Sequence, residues 1–176
     1  MPWRNGGGVT IELFVLPAGA GIDSFTLRLS RASITSDGPF SRFPDVDRSL
    51  AIVRGAGVDL LVEGHAAKVR LDATSAPFAF AGELAIDATL VSGPVEDFNV
   101  MTRRQAFGQA LAWESLDGVV PLARRGALVA FVLVDGALDV GGARLSPGEA
   151  VVHDGAEAIA LCAARARGLR VDVFAR

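Results

Sequence analysis

The sequence predicts an all-β protein, a sandwich or barrel of short antiparallel strands, and three observations lead there. Apolar and polar residues alternate with period two along most of the chain. Gly-rich turn signals separate the alternating segments. The helical period is nearly absent. The 176 residues suit one domain or two small halves, and 51% apolar residues are ample for a core.

Taken in order, the predicted strands are VTIELFVL (9–16), FTLRLSRASI (25–34), RSLAIVRG (48–55), VDLLVEG (58–64), APFAFAGE (76–83), IDATLVSG (86–93) and DFNVMTR (97–103). ALVAFVLVDG (127–136), ALDVGG (137–142), EAVVHDG (149–155), AIALCA (158–163) and LRVDVFA (169–175) follow. AGAG, SDGP, GAG, DGA, VGGARLSPGE and HDG are the turns between them. One stretch, QALAWESL at 109–116, reads as a helix or as a bridging loop.

Composition removes several function classes. The net charge is −3, and the arginines stand singly or in pairs such as Arg103–Arg104 and Arg124–Arg125, so a nucleic-acid scaffold is not expected. A single cysteine, Cys162, allows no internal disulfide and no multi-cysteine metal site. The longest apolar run, ALVAFVLV at 127–134, is far shorter than the roughly 20 residues of a spanning helix. The first residues lack a charged region followed by an apolar one, so no signal peptide is expected, and a cytoplasmic protein with no membrane partner is.

An internal echo suggests two similar halves. SLAIVRGAGVDLLVEG (49–64) with GELAIDA (82–88) has the rhythm of VAFVLVDGALDVGGARLSPGEAVVHDG (129–155). That rhythm is similar to a cupin barrel, and LSPGEAVVHDG resembles a cupin's second motif. The resemblance implies a double barrel, a bicupin, with an N-terminal half at 1–110 carrying the site and a C-terminal half at 111–176. The break is expected between residues 108 and 120.

Typical cupins hold a metal through H-x-H, a nearby Glu and a distant His. This chain has only His65 and His153, neither with a second His two residues away. His65, in VEGHAAK, is expected at a solvent-facing turn, and His153 as a hydrogen-bonded structural residue. Three or four ligands do not assemble from this inventory, so neither a metal nor another cofactor is expected.

Several polar residues sit in apolar strands. Period two places Leu27, Leu29 and Arg31 on one face of their strand and Arg28, Ser30, Ala32 and Ile34 on the other. It likewise sets Asp97, Asn99, Met101 and Arg103 opposite Phe98, Val100 and Thr102. If Phe98 and Val100 pack between the sheets, the Asp/Asn/Arg row faces either solvent or a barrel lumen. SDGPFSRFPDVDR (36–48) adds a stiff aromatic loop able to roof a cavity. Arg28, Arg48 or Arg103 beside Asn5 and Asn99 suits a carboxylate, because a guanidinium is a permanently charged planar fork and an amide both donates and accepts. Phe40, Phe43, Phe80 and Met101 are candidate apolar walls.

The opening MPWRNGGGVT admits a frayed start, a phosphate cradle or a lid. The triplet lacks the Lys-Ser/Thr ending of a phosphate loop and precedes a strand, which argues against the cradle. PWRNGGGVT, SDGPFSRFPDVDR, FAFAGE and VSGPVEDFNVMTRR occur in the order and spacing of the HutD/Ves family, which the chain resembles most over residues 2–103. Three departures stand out: Ile11 where a basic residue often follows the Thr, Leu27 where an aromatic is frequent, and Asp45 where Gly is. The resemblance implies a lid formed by Trp3 and Asn5. It assigns ligand contacts to Trp3, Asn5, Arg28, Ser30, Phe40, Ser41, Arg48, Phe80, Asn99, Met101 and Arg103.

It further implies a metal-free bicupin that binds a small carboxylic acid, an intermediate of histidine degradation of the urocanate or formyl/formiminoglutamate type, with a regulatory role in histidine utilisation. The alternative is a metal-independent isomerase, lyase or hydrolase with Asp97, Glu12 or His153 as acid–base group, Asp97 being otherwise the partner that orients an Arg. A third reading is an interaction module offering a strand edge. Open edges are compatible with a homodimer, although no sequence marker specifies one.

Overall fold

The computed structural model describes residues 8–176. The chain divides into two compact units, one ending at Gln105 and the other beginning at Ala106. That division falls a few residues ahead of the expected 110/111. The described residues form fourteen strands and no helix, and all the strand pairs are antiparallel.

The first unit contains β1 (Gly8–Leu16), β2 (Leu27–Ile34), β3 (Gly38–Pro39), β4 (Val46–Arg54), β5 (Val58–Val62), β6 (Val69–Leu71), β7 (Phe78–Ala81), β8 (Ile86–Leu90) and β9 (Val95–Arg103). A five-stranded sheet has the order β1-β2-β9-β4-β7, and a four-stranded sheet the order β3-β8-β5-β6. Their facing sides meet in one apolar cluster. Ile34, Leu50, Ile52, Phe80 and Val95 come from the first sheet; Val58, Leu60, Val62, Leu71, Ile86 and Ala88 come from the second. These are alternate residues of each strand, as the sequence pattern requires.

This phase corrects one expectation. The residues that turn toward the second sheet from β9 are those in step with Val95, namely Asp97, Asn99 and Met101, while Phe98 and Val100 are buried on the opposite face. The expectation assumed that only one face of β9 is covered. Both faces are: Asp97 through Thr102 are each at most 9% exposed.

The second unit contains β10 (Phe107–Leu122), β11 (Leu128–Val140), β12 (Ala143–Leu145), β13 (Ala150–His153) and β14 (Ile159–Ala175). Its sheet runs β10-β14-β11-β12, with β13 also paired to β11. Residues 109–116, the helix candidate, lie inside β10 and pair with β14 from Gln109↔Val173 to Leu116↔Ala166. Leu111 and Trp113 are half-buried while Ala110 and Ala112 are exposed, so the period of two was present beneath good helix formers. Pairing along a long neighbour overrides local propensity there. The expected Asp-Gly turn at 135–136 is instead an irregularity within β11. Gly136 adopts φ 87° against the backbone of Arg165, and the register shifts on both sides of Asp135.

One glycine ties the core to the aromatic loop at residues 40–44. Gly82 donates its N–H to the Val46 carbonyl at 2.6 Å and accepts from the Phe43 N–H at 2.8 Å. A Cβ added there would stand 2.7 Å from the Phe43 carbonyl oxygen and 2.8 Å from that of Val46. Only a residue without Cβ lets β4, β7 and the loop close together. Gly82→Ala is expected to lower stability by about 1–3 kcal/mol through overpacking, read as a lower urea midpoint with an unchanged m-value.

Candidate functional site

Because residues paired directly across antiparallel strands share a face, the register of the five-stranded sheet lays out three rows on the side turned toward the second sheet. The first is Arg28, Met101, Arg48 and Phe80 across β2, β9, β4 and β7. The second is Glu12, Ser30, Asn99, Leu50 and Phe78, and the third is Thr10, Ala32, Asp97 and Ile52. The face therefore grades from apolar side chains on β7 and β4 to polar ones on β9, β2 and β1. The apolar end belongs to the cluster shared with the second sheet. The polar end contains Arg28, Ser30, Asp97 and Asn99, which are nevertheless buried at 8%, 3%, 4% and 9% exposure.

Arg48 stands where the two regimes meet. Its guanidinium carbon lies 4.9 Å from the ring centre of Phe80, 5.5 Å from Phe43 and 5.6 Å from Phe40. β7 supplies Phe80, and the loop held by Gly82 supplies the other two. Three aromatic faces attract the cation through their quadrupoles and exclude water from it. Nη1 donates to the Ser41 carbonyl at 3.2 Å, while the buried Nε has no partner among the described residues. Burial lowers the Arg48 pKa to about 10; the Asp97 carboxylate raises it and Arg28 lowers it further. The side chain remains a cation at neutral pH.

Asp97 lies two rows away, close enough to feel Arg48 but not bonded to it. The backbone N–H of Ala32 donates to its carboxylate, and Oδ1 has no partner among the described residues. Burial pushes its pKa up to about 7, against the opposing pull of Arg48 and the Ala32 N–H. Asn99 Oδ1, the next side chain along this face of β9, is also buried and unpartnered among the described residues. Arg28 is already engaged, donating from Nε to Glu12 Oε2 at 2.9 Å, with Glu12 partly open to solvent. Met101 packs with Phe25 and Val46 at the other end of the face. The inner face of this sheet thus holds one caged cation, one tethered cation and two buried oxygens that have no partner among the described residues.

The structure thus brings together Arg28, Ser30, Phe40, Arg48, Phe80, Asp97, Asn99 and Met101. Ser41 contributes its carbonyl, and its side chain belongs to an exposed residue. Arg103 is placed differently from the expectation. Its guanidinium donates to the carbonyls of Pro44 at 3.0 Å, Asp23 at 2.9 Å and Phe25 at 3.4 Å, and lies 5.5 Å from the Phe25 ring. It staples loops together at the strand end. Trp3 and Asn5 lie outside the described residues. Glu12, expected as an acid–base candidate, is the partner of Arg28; a carboxylate between Ile11 and Leu13 in an alternating strand is the available signal. His65 is exposed and edges Phe78, and His153 Nε2 lies 2.6 Å from the Glu157 carbonyl in the second unit.

Asp97 gives a pH-dependent stability with a definite sign. Below about pH 4 it is protonated in both folded and unfolded chains. Between its ordinary 3.8 and about 7 only the unfolded chain releases the proton, so stability falls as pH rises and levels off above 7. The full span is on the order of 4 kcal/mol. Asp97→Asn is expected to flatten this decline, so melting curves from pH 5 to 8 should show the variant gaining on the native sequence toward pH 8.

Over 113 residues the chain is 38% identical to an uncharacterized 21.2 kDa protein in the hutC 3′ region of Pseudomonas putida, covering 64% of this chain and 58% of that one. Over 103 residues it is 39% identical to Protein Ves of Citrobacter koseri, covering 58% and 52%. It therefore spans little more than half the length of these curated relatives. The structure of HutD from Pseudomonas fluorescens SBW25 matches with a TM-score of 0.83 and 32% identity, covering 100% of this chain and 93% of that one. A cupin 2 conserved barrel domain protein from Leptotrichia buccalis matches with a TM-score of 0.61 at 10% identity, covering 96% and 89%, a likeness of fold alone. The fold is cupin-like, and no helix of the described residues is long and apolar enough to cross a membrane. The HutD family model matches residues 1–170, and this chain belongs to the HutD family.

Proposed function

We propose that the first unit is a receptor for a small carboxylic acid, acting without a metal. The single observation that supports this reading most is the caged Arg48, a buried guanidinium whose Nε has no partner among the described residues. A buried cation with unused donor capacity is destabilising by itself and gains most from a carboxylate delivered into the same dry space. Arg28 adds a second positive group in the same row, and Ser30 and Asn99 supply hydroxyl and amide partners. Phe40, Phe43 and Phe80 keep the charges unscreened.

The relative in the hutC 3′ region and the HutD match suggest where such an acid would come from. The reading is that the acid is an intermediate of histidine degradation, such as urocanate, formiminoglutamate or formylglutamate. Binding it in the cytoplasm would report the state of histidine utilisation and temper that pathway.

A second reading has its own observation. A buried carboxyl with a pKa near 7 is suited to proton transfer at neutral pH, so Asp97 could serve a metal-independent isomerase, lyase or hydrolase acting on the same acid. Slow turnover of one of these acids that disappears in Asp97→Asn would favour catalysis over binding.

A thermal-shift screen of these three acids tests the binding reading. A ligand at one hundred times its Kd stabilises the folded chain by about 2.7 kcal/mol, a rise of several degrees. Arg48→Met and Asn99→Ala are expected to remove most of that rise, and the exposed Arg54→Ala to keep it. No shift with any acid, or an undiminished shift in Arg48→Met, would contradict it.

A further inference from the structure

A second cluster lies on the face of the five-stranded sheet opposite Asp97. Val9 and Ile11 of β1 pair with Ser33 and Arg31 of β2, and Ser33 pairs in turn with Glu96 of β9, so these five side chains share that face. Val9 and Ile11 are 48% and 46% exposed although both are apolar. Arg31 and Glu96 stand diagonally across β2 and β9, half-buried and opposite in charge, yet neither bonds to the other or to any described residue. The Arg31 Nε is itself buried without a partner among the described residues. Arg54, across from Glu96 on β4, is exposed and does not bond to it either. Val9, Ile11, Arg31, Ala32, Ser33 and Glu96 line an open cavity of about 90 Å³.

That cavity is far smaller than the roughly 300 Å³ or more of a small-molecule site, and it has room for one side chain. Half-buried charges without partners leave a desolvation cost that a second surface can offset. A strongly acidic or strongly basic partner would pair one of the two charges and strand the other. A two-fold related copy pairs both, because a patch holding one cation and one anion side by side is its own complement. We infer that this patch is a homodimer interface: the partner subunit's Glu96 enters the cavity to meet Arg31, the reverse contact forms across the axis, and Val9 and Ile11 are covered at the rim. The contact is small, so the dimer is weak and reversible, with a Kd in the micromolar range or above.

Analytical ultracentrifugation of the full chain, from micromolar to millimolar concentration, tests the interface. A reversible monomer–dimer equilibrium is expected. Arg31→Glu and Glu96→Arg each set two like-charge contacts across the axis and are expected to weaken dimerisation by roughly a hundredfold or more. Mixing the two variants should restore a dimer, because each then meets the charge it lacks, a result that misfolding cannot imitate. Leu61→Asp, at an exposed apolar residue of β5 in the other sheet, is expected to leave the equilibrium as it was. If Arg31→Glu fails to fold, Glu96→Arg and Ile11→Asp must each leave monomers. A native chain that stays monomeric at millimolar concentration, a dimer that survives Glu96→Arg, or two folded variants that do not recombine would overturn the interface.

Discussion

A guanidinium taken out of water must be compensated by something, and in this chain Arg48 is compensated by aromatic faces more than by hydrogen bonds. Its carbon lies within 5.6 Å of three ring centres, and its one described hydrogen bond goes to a backbone carbonyl. That arrangement dictates much of the first unit. Phe80 must sit on β7 opposite Arg48 in β4. Phe40 and Phe43 must be brought over by a loop, and the loop must be pinned where Gly82 leaves no room for a side chain. Each cation–π contact contributes about 0.5–2 kcal/mol, enough in sum to hold a charge that burial alone would disfavour.

The same sheet carries both the core and the candidate site. Apolar residues of β4 and β7 close against the second sheet and provide the core. Polar residues of β9, β2 and β1 continue the same face without a break in the alternation, so the site needs no separate scaffold. Asp97 and Asn99 are held by strand backbone within a ladder, where their positions vary little. Burying them with oxygens that have no partner among the described residues sacrifices some stability.

Much of this was legible in the residues. Alternation gave every strand of the first unit except the two-residue β3 and the three-residue β6, which are too short to show a period. The split of β2 into a Leu27/Leu29 face and an Arg28/Ser30 face was also visible. The unusual polarity of Asp97 and Asn99 within an apolar strand was visible as well. Which way that row turns was not legible, because period two separates two faces without naming the inner one, and here both are buried. The role of Arg103 was hidden for a similar reason. It shares the phase of Asn99 but sits at the strand end, where the carbonyls of Asp23, Phe25 and Pro44 converge from loops distant in sequence. In the second unit, Gln109–Leu116 misled because Ala, Leu and Glu favour helices locally, while a sixteen-residue strand forms only through its pairing with β14. Asp45, which stands where the family resemblance leads one to expect Gly, has φ 60°; the backbone demand is real, and Asp is among the few residues that meet it.

On the inner face of the first unit a buried carboxyl and a caged guanidinium sense each other without bonding. Carbon-13 NMR of the Asp97 side-chain carboxyl, followed through a pH titration of the ligand-free protein, measures this most directly. The expected midpoint is about 7, rising further when Arg48 is replaced by Met and its stabilising charge is lost. A midpoint near the ordinary 3.8, indifferent to Arg48, would mean that water reaches Asp97, and the dry surroundings described for it would not exist.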